Sequence, residues 1–132
     1  MPRQPETLIR NELITYLQPR GWYIEILYGS RFQKGVPDLF LFHREHGFRW
    51  VDVKNPRGYR LTIYQQQKWP RWEAAGLGVW ILTAATDDEY AKLFAAPNWR
   101  AFWRPQPVGQ LDRLWKDLVQ RGLTRVLSAF AW

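Results

Sequence analysis

Residues 48–54, Phe-Arg-Trp-Val-Asp-Val-Lys, have the composition of a strand built for burial, yet Asp52 and Lys54 lie within them. Successive strand side chains alternate between two faces, so these two charges share one side. Charged groups in such a run cost stability unless they are used or paired. A second strand, Asp38–Phe42, precedes it across a polar turn containing Gly47, and the spacing suits an antiparallel hairpin. Such a hairpin can bring Asp38 alongside Asp52. Two carboxylates that close repel each other unless a cation sits between them. Oxygen ligands of this kind select Mg²⁺ or Mn²⁺. A lysine beside the pair can stabilise charge at a scissile phosphate or help position the attacking water.

The rest of the chain is read from its periodicity. Residues 5–18 form an amphipathic helix with Ile9, Leu13 and Leu17 on one stripe, closed by Pro19 and Gly21. By helical angle Glu6 falls near that stripe, on the face turned inward, while Glu12 sits at its edge. Residues 22–28 are aromatic and β-branched, a strand. A loop over 29–36 is bracketed by glycines. After the hairpin, Asn55-Pro56-Arg57-Gly58 breaks the chain, and Thr62-Ile63-Tyr64-Gln65 fits a capping box opening a second helix. That helix runs towards Ala75 and ends at Gly76, with Pro70 expected to kink it or to mark the first turn of a shorter one. Residues 78–83 make a fourth strand and 87–95 a third helix. The order α-β-β-β-α-β-α gives an α/β fold with a mixed sheet.

The length of 132 residues suits one domain, here a core over 1–96 with a C-terminal extension over 97–132. Within the extension, residues 97–110 are irregular. Leu111, Leu114, Trp115 and Leu118 then fall on one face of an amphipathic helix over 111–120, followed by an apolar tail to Trp132.

The absence of cysteine removes disulfides, thiolate metal sites and cysteine nucleophiles, so any metal is held by oxygen or imidazole. A formal charge of +7 favours a polyanionic partner, nucleic acid being the commonest. Apolar runs such as Leu39–Phe42 are far too short for a membrane span, and Met1–Glu6 lacks the apolar core of a signal peptide, so a soluble cytoplasmic protein is expected. His43-x-x-His46 with Glu45 hints at a second metal site at a hairpin tip. Most of the nine tryptophans belong to a core or an interface.

Glu6, Gly35-Val36-Pro37-Asp38, Asp52-Val53-Lys54, Gln65 to Gln67, Trp69 and Gly76 occur in an order that resembles the PD-(D/E)xK nuclease superfamily. Within it the pattern is most similar to the VRR-NUC (virus-type replication–repair nuclease) group. The resemblance covers about residues 5–84. Two features depart from it: Asp52 stands where the family usually has glutamate, and Pro70 lies inside the glutamine helix. The resemblance implies a restriction-endonuclease-like αβββαβ core and a metal-dependent endodeoxyribonuclease. In that role Asp38, Asp52, the Val53 carbonyl and Glu6 hold one or two Mg²⁺ or Mn²⁺ ions, Lys54 steadies developing charge, and Gln65 fills the glutamine position. Glu12 and Gln66 are the alternatives to Glu6 and Gln65. Arg31, Lys34, Arg57, Arg60 and Lys68 would rim the site and contact phosphate.

The resemblance further implies 5′-phosphate products. Small stand-alone members of the kind found in phages act as homodimers on branched DNA such as Holliday junctions. The extension with its helix over 111–120 is expected to pack on the core or at a dimer interface, residues 111–120 and the tail being the candidate dimer surface. Two other readings stay open, a non-catalytic DNA-binding module on this scaffold and an RNA-directed nuclease of the same fold.

Overall fold

Ile9, Leu13 and Leu17 are buried, and the helix that carries them, α1 (Glu6–Leu17), lies on one face of a four-stranded sheet. The computed structural model describes residues 5–27 and 34–103; the expected helix over 111–120, the apolar tail and Arg31 lie outside the described residues. After α1 the chain makes a turn of 3₁₀-helix and reverses at Gly21, whose φ of +90° favours glycine. It then enters β1 (Trp22–Ile26), β2 (Leu39–His43) and β3 (Gly47–Val53). These three pair antiparallel in sequence order, with Leu39 opposite Val51 and His43 opposite Gly47. The hairpin expected from the Gly47 turn is therefore present, one residue offset at each end.

Helix α2 (Ile63–Ala74) then crosses over so that β4 (Val79–Leu82) runs parallel to β3 at the sheet edge. Pro70 neither ends α2 nor confines it to a shorter helix, because the helix is continuous from Ile63 to Ala74. Trp69, fully buried, and Trp72 clamp the turns on either side of the proline into the core. The third helix is shorter than expected: α3 covers Asp87–Ala91 and tightens into a 3₁₀ turn over Lys92–Phe94.

The sheet separates two cores. On the α1 side, Leu39, Leu41, Val51, Val53 and Leu82 meet the α1 stripe. On the other side, Val79 and Ile81 pack under Trp69 of α2 and under Trp99, so packing continues beyond residue 96. Asn98 closes the free edge of β4: its amide accepts from the Ile81 N–H at 2.7 Å and donates to the Ile81 carbonyl at 3.0 Å. A side chain thus supplies the pair of hydrogen bonds that a neighbouring strand would have made.

Candidate active site

Asp38 sits just ahead of β2, and Asp52 is the sixth residue of β3. The hairpin register sets them side by side, and backbone hydrogen bonds lock the arrangement. The Asp38 N–H donates to Asp52 Oδ1 at 3.2 Å, and the Val53 N–H donates to Asp38 Oδ2 at 2.9 Å. Because N–H and C=O of an extended residue point the same way, the Val53 carbonyl turns towards the Asp38 side as well. The neighbouring backbone bond, Lys54 N–H to the Leu82 carbonyl at 3.1 Å, ties this end of β3 to β4 on the opposite edge.

Lys54 continues the Asp52 side of the strand, and its Nζ lies 3.0 Å from Asp52 Oδ2. Both side chains are almost fully enclosed, at 1% exposure for Asp52 and 5% for Lys54. Burial, and then the neighbouring Asp38 carboxylate, push the Asp52 carboxyl up to about 7 against the pull of the Lys54 ammonium. Desolvation therefore outweighs the ion pair, as expected where water is excluded from a carboxylate.

Gln65 completes the cluster from α2. Its Oε1 accepts from the Thr62 N–H at 3.0 Å while the Thr62 hydroxyl accepts from the Gln65 N–H at 3.1 Å, a reciprocal capping box. The same Oε1 accepts from Lys54 Nζ at 3.0 Å, and Nε2 faces both Asp52 oxygens at 3.4 Å. Two donors converge on Oε1, which fixes the orientation of the amide. One side chain thus both caps α2 and reaches Lys54 and Asp52. Gln66 turns away and donates to the Leu61 carbonyl at 2.9 Å.

Glu6 corrects the helical-wheel expectation. It is exposed, because it opens α1 where the first turn runs past the sheet. Its Oε1 accepts from the Asn55 N–H at 3.4 Å, so it meets the chain one residue beyond Lys54. Glu12 is also exposed. Among the basic residues, Lys34 donates to the Tyr64 hydroxyl at 3.1 Å. Arg57 and Arg60 are exposed on the segment leaving Lys54, and Lys68 is half-buried on α2.

Two supports went unread in the sequence. The Trp69 indole N–H donates to the Gly35 carbonyl at 2.8 Å, anchoring the loop that leads to Asp38. Gly35 has φ +84°, and a Cβ there would stand 2.7 Å from the Tyr64 carbonyl oxygen, so only glycine lets this loop lie against the start of α2. The Gly-x-Pro-Asp pattern carried that signal without disclosing its partner.

At the opposite end of the hairpin, ligand atoms of His43, Glu45 and His46 lie within 4.8 Å of one another. His43 is spent, however. Its Nδ1 accepts from the Glu45 N–H at 3.1 Å, which leaves the proton on Nε2 to donate to the Arg20 carbonyl at 3.1 Å. Its ring packs between Trp22 and His46.

An αβββαβ core with this mixed sheet is the restriction-endonuclease-like arrangement. More specifically, the chain has the fold of a VRR-NUC domain. It is similar to a solved structure described as a "VRR_NUC domain" with a TM-score of 0.55 and 18% sequence identity, covering 67% of this chain and 92% of that one. No family model and no curated protein matches the sequence.

Proposed function

We propose that this nuclease-fold protein is a metal-dependent endodeoxyribonuclease that hydrolyses phosphodiester bonds in branched DNA. The observation that carries the reading is the meeting of Asp38, Asp52, Lys54 and Gln65 at one end of the β2–β3 hairpin. A carboxylate buried beside a second carboxylate is costly, and a cation relieves that cost. Every donor there is oxygen: the carboxylates of Asp38 and Asp52 and the carbonyl of Val53, with Glu6 at the strand end able to add another. That set fits one or two hard divalent ions, Mg²⁺ or Mn²⁺. When bound, such an ion polarises a phosphate oxygen and acidifies water at the site.

The chain's own residues do the rest. Lys54 holds a positive charge beside the carboxylate pair, where it stabilises charge building on a phosphate under in-line attack. Gln65 pins that ammonium and faces Asp52, so the Gln65 amide helps keep Lys54 in place. Lys34, Arg57, Arg60 and Lys68, with Arg31, supply phosphate contacts that attract DNA in a chain of charge +7. Preference for four-way junctions, and a homodimer whose two sites face two strands, follow from the resemblance and from the symmetry of such a substrate. A monomer in sedimentation at micromolar concentration would remove the dimer.

Cleavage of labelled four-way junction, flap and plain duplex DNA, with Mg²⁺, Mn²⁺ or EDTA, tests the activity. Asp52→Asn and Lys54→Ala proteins, checked for folding, run alongside. Metal-dependent cutting that is lost in both variants is expected, with junction DNA preferred over duplex and over RNA competitor. A wild-type protein that shifts junction DNA but cuts nothing in either metal would instead be a binding module.

A further inference from the structure

The first turn of α2 carries Gln65 into the Asp52–Lys54 cluster and leaves its two predecessors outside. Ile63 and Tyr64 are 56% and 43% exposed, although one residue further on the chain is buried. The capping box is completed by Thr62 and Gln65, so the helix start makes no demand on the Tyr64 side chain. The loop that leads to Asp38 fixes Tyr64 from the other side. Its carbonyl lies against Gly35, where a Cβ would stand 2.7 Å from the oxygen. Lys34, the residue before that glycine, donates to the Tyr64 hydroxyl at 3.1 Å, and its Nζ is 4.6 Å from the ring centroid. Lys34 is exposed and forms no ion pair among the described residues. An ammonium has three N–H donors, so two are left for another acceptor. Lys68 follows one turn along α2, on the same side of the helix as Tyr64.

We propose that Tyr64 and Lys34 form a nucleotide-binding pair: the ring stacks on an unpaired base beside the scissile phosphate, and the Lys34 ammonium contacts the phosphate of that nucleotide. The proposal rests on the nuclease reading and deepens it, because it names the substrate feature that the site selects. An exposed ring flanked by cations is the combination that holds single-stranded nucleic acid, the ring taking a base face and the cations its backbone. Here that combination adjoins the acidic cluster through two short links, Tyr64 to Gln65 on α2 and Lys34 to Asp38 along the loop. A base reaches a ring face only after it has left the duplex stack, which is cheapest where pairing is already broken. The pair therefore favours flaps, ends and branch points over continuous duplex. Lys34 reads phosphate alone and carries no such preference.

The test measures binding of the full-length chain to labelled flap DNA and to labelled plain duplex by fluorescence anisotropy, at low salt and in EDTA so that nothing is cut. Each variant is checked for folding by circular dichroism. Tyr64→Ala is expected to weaken flap binding by about tenfold, the scale of one lost base stack, and to leave duplex binding within about twofold of wild type. Tyr64→Phe keeps the ring and is expected to bind the flap within about twofold of wild type, which separates stacking from the hydroxyl's bond to Lys34. Lys34→Ala is expected to weaken flap and duplex by the same factor. Equal losses on flap and duplex from Tyr64→Ala, no loss at all, or a Tyr64→Phe protein as weak as Tyr64→Ala would each overturn the proposal. A wild type that shows the expected pattern but cuts neither DNA once Mg²⁺ or Mn²⁺ is added would overturn the nuclease reading and leave the stacking pair standing, so the two fail separately.

Discussion

At one end of the β2–β3 hairpin stand Asp38 and Asp52; at the other stand His43, Glu45 and His46. Both ends hold metal-ligand side chains at close range, and by residue type alone the histidine end looks the richer. Burial and charge separate them. His43 has committed both ring nitrogens, one to the Glu45 N–H and one to the Arg20 carbonyl, and its neighbours Glu45 and His46 are exposed. Asp52 is enclosed, set against a second carboxylate, and pushed up to about 7 although a lysine lies 3.0 Å away. The first arrangement is already satisfied. The second has electrostatic stress that a divalent cation would relieve. Proximity of ligand-type residues alone does not distinguish the two ends; buried like charge does.

The sharpest way to break this comparison is to neutralise one residue at each end. Asp52→Asn is expected to lower cleavage by about 10³-fold, the scale of losing several kcal/mol of metal-assisted stabilisation. His43→Gln is expected to leave cleavage unchanged and to lower unfolding stability by about 1 kcal/mol through lost hydrogen bonds. A chemical denaturation curve beside a cleavage time course reads both. Equal losses of cleavage from the two substitutions would erase the distinction.

A smaller effect separates the two duties of Gln65. Gln65→Ala is expected to weaken cleavage by about 10- to 100-fold, as loss of a residue supporting ligands does. Thr62→Ala removes a cap hydrogen bond and leaves the contacts of Gln65 with Lys54 and Asp52 in place, so about 1 kcal/mol of stability is lost while cleavage survives. If Thr62→Ala impairs cleavage as much as Gln65→Ala, the contribution of Gln65 is only to the helix.

The smallest expected effect is a pH dependence. The folded chain raises Asp52 from its ordinary 3.8 to about 7, so it binds that proton more tightly than the unfolded chain does. For the metal-free protein, the stability contributed by this group is fully present below about pH 4 and is lost as pH rises through about 7. Metal binding needs the carboxylate, so it strengthens over the same window. The rise in melting temperature on adding Mn²⁺ should therefore grow between pH 5 and pH 8. A shift that shrinks with rising pH would contradict the assignment.

Local patterns disclosed much of this architecture. The α1 stripe, the capping box and the Asp38–Asp52 spacing depend on helix and strand periods, which a sequence displays directly. What escaped depends on contacts between distant segments. The Trp69–Gly35 hydrogen bond, the Asn98 seal on β4 and the bond from His43 to the Arg20 carbonyl each join elements that no period relates. Glu6 misled for a subtler reason: a helical wheel gives an angle but not the height at which the helix leaves the sheet. Pro70 lies inside α2 without shortening it, between turns that carry Trp69 and Trp72 into the core.

The most direct test of the central claim is a calorimetric titration of Mn²⁺ into wild-type, Asp52→Asn and His43→Gln proteins at pH 8. Binding in the wild type and in His43→Gln, abolished in Asp52→Asn, is the predicted result. Binding that survives Asp52→Asn and disappears in His43→Gln would place the metal at the other end of the hairpin and contradict the account.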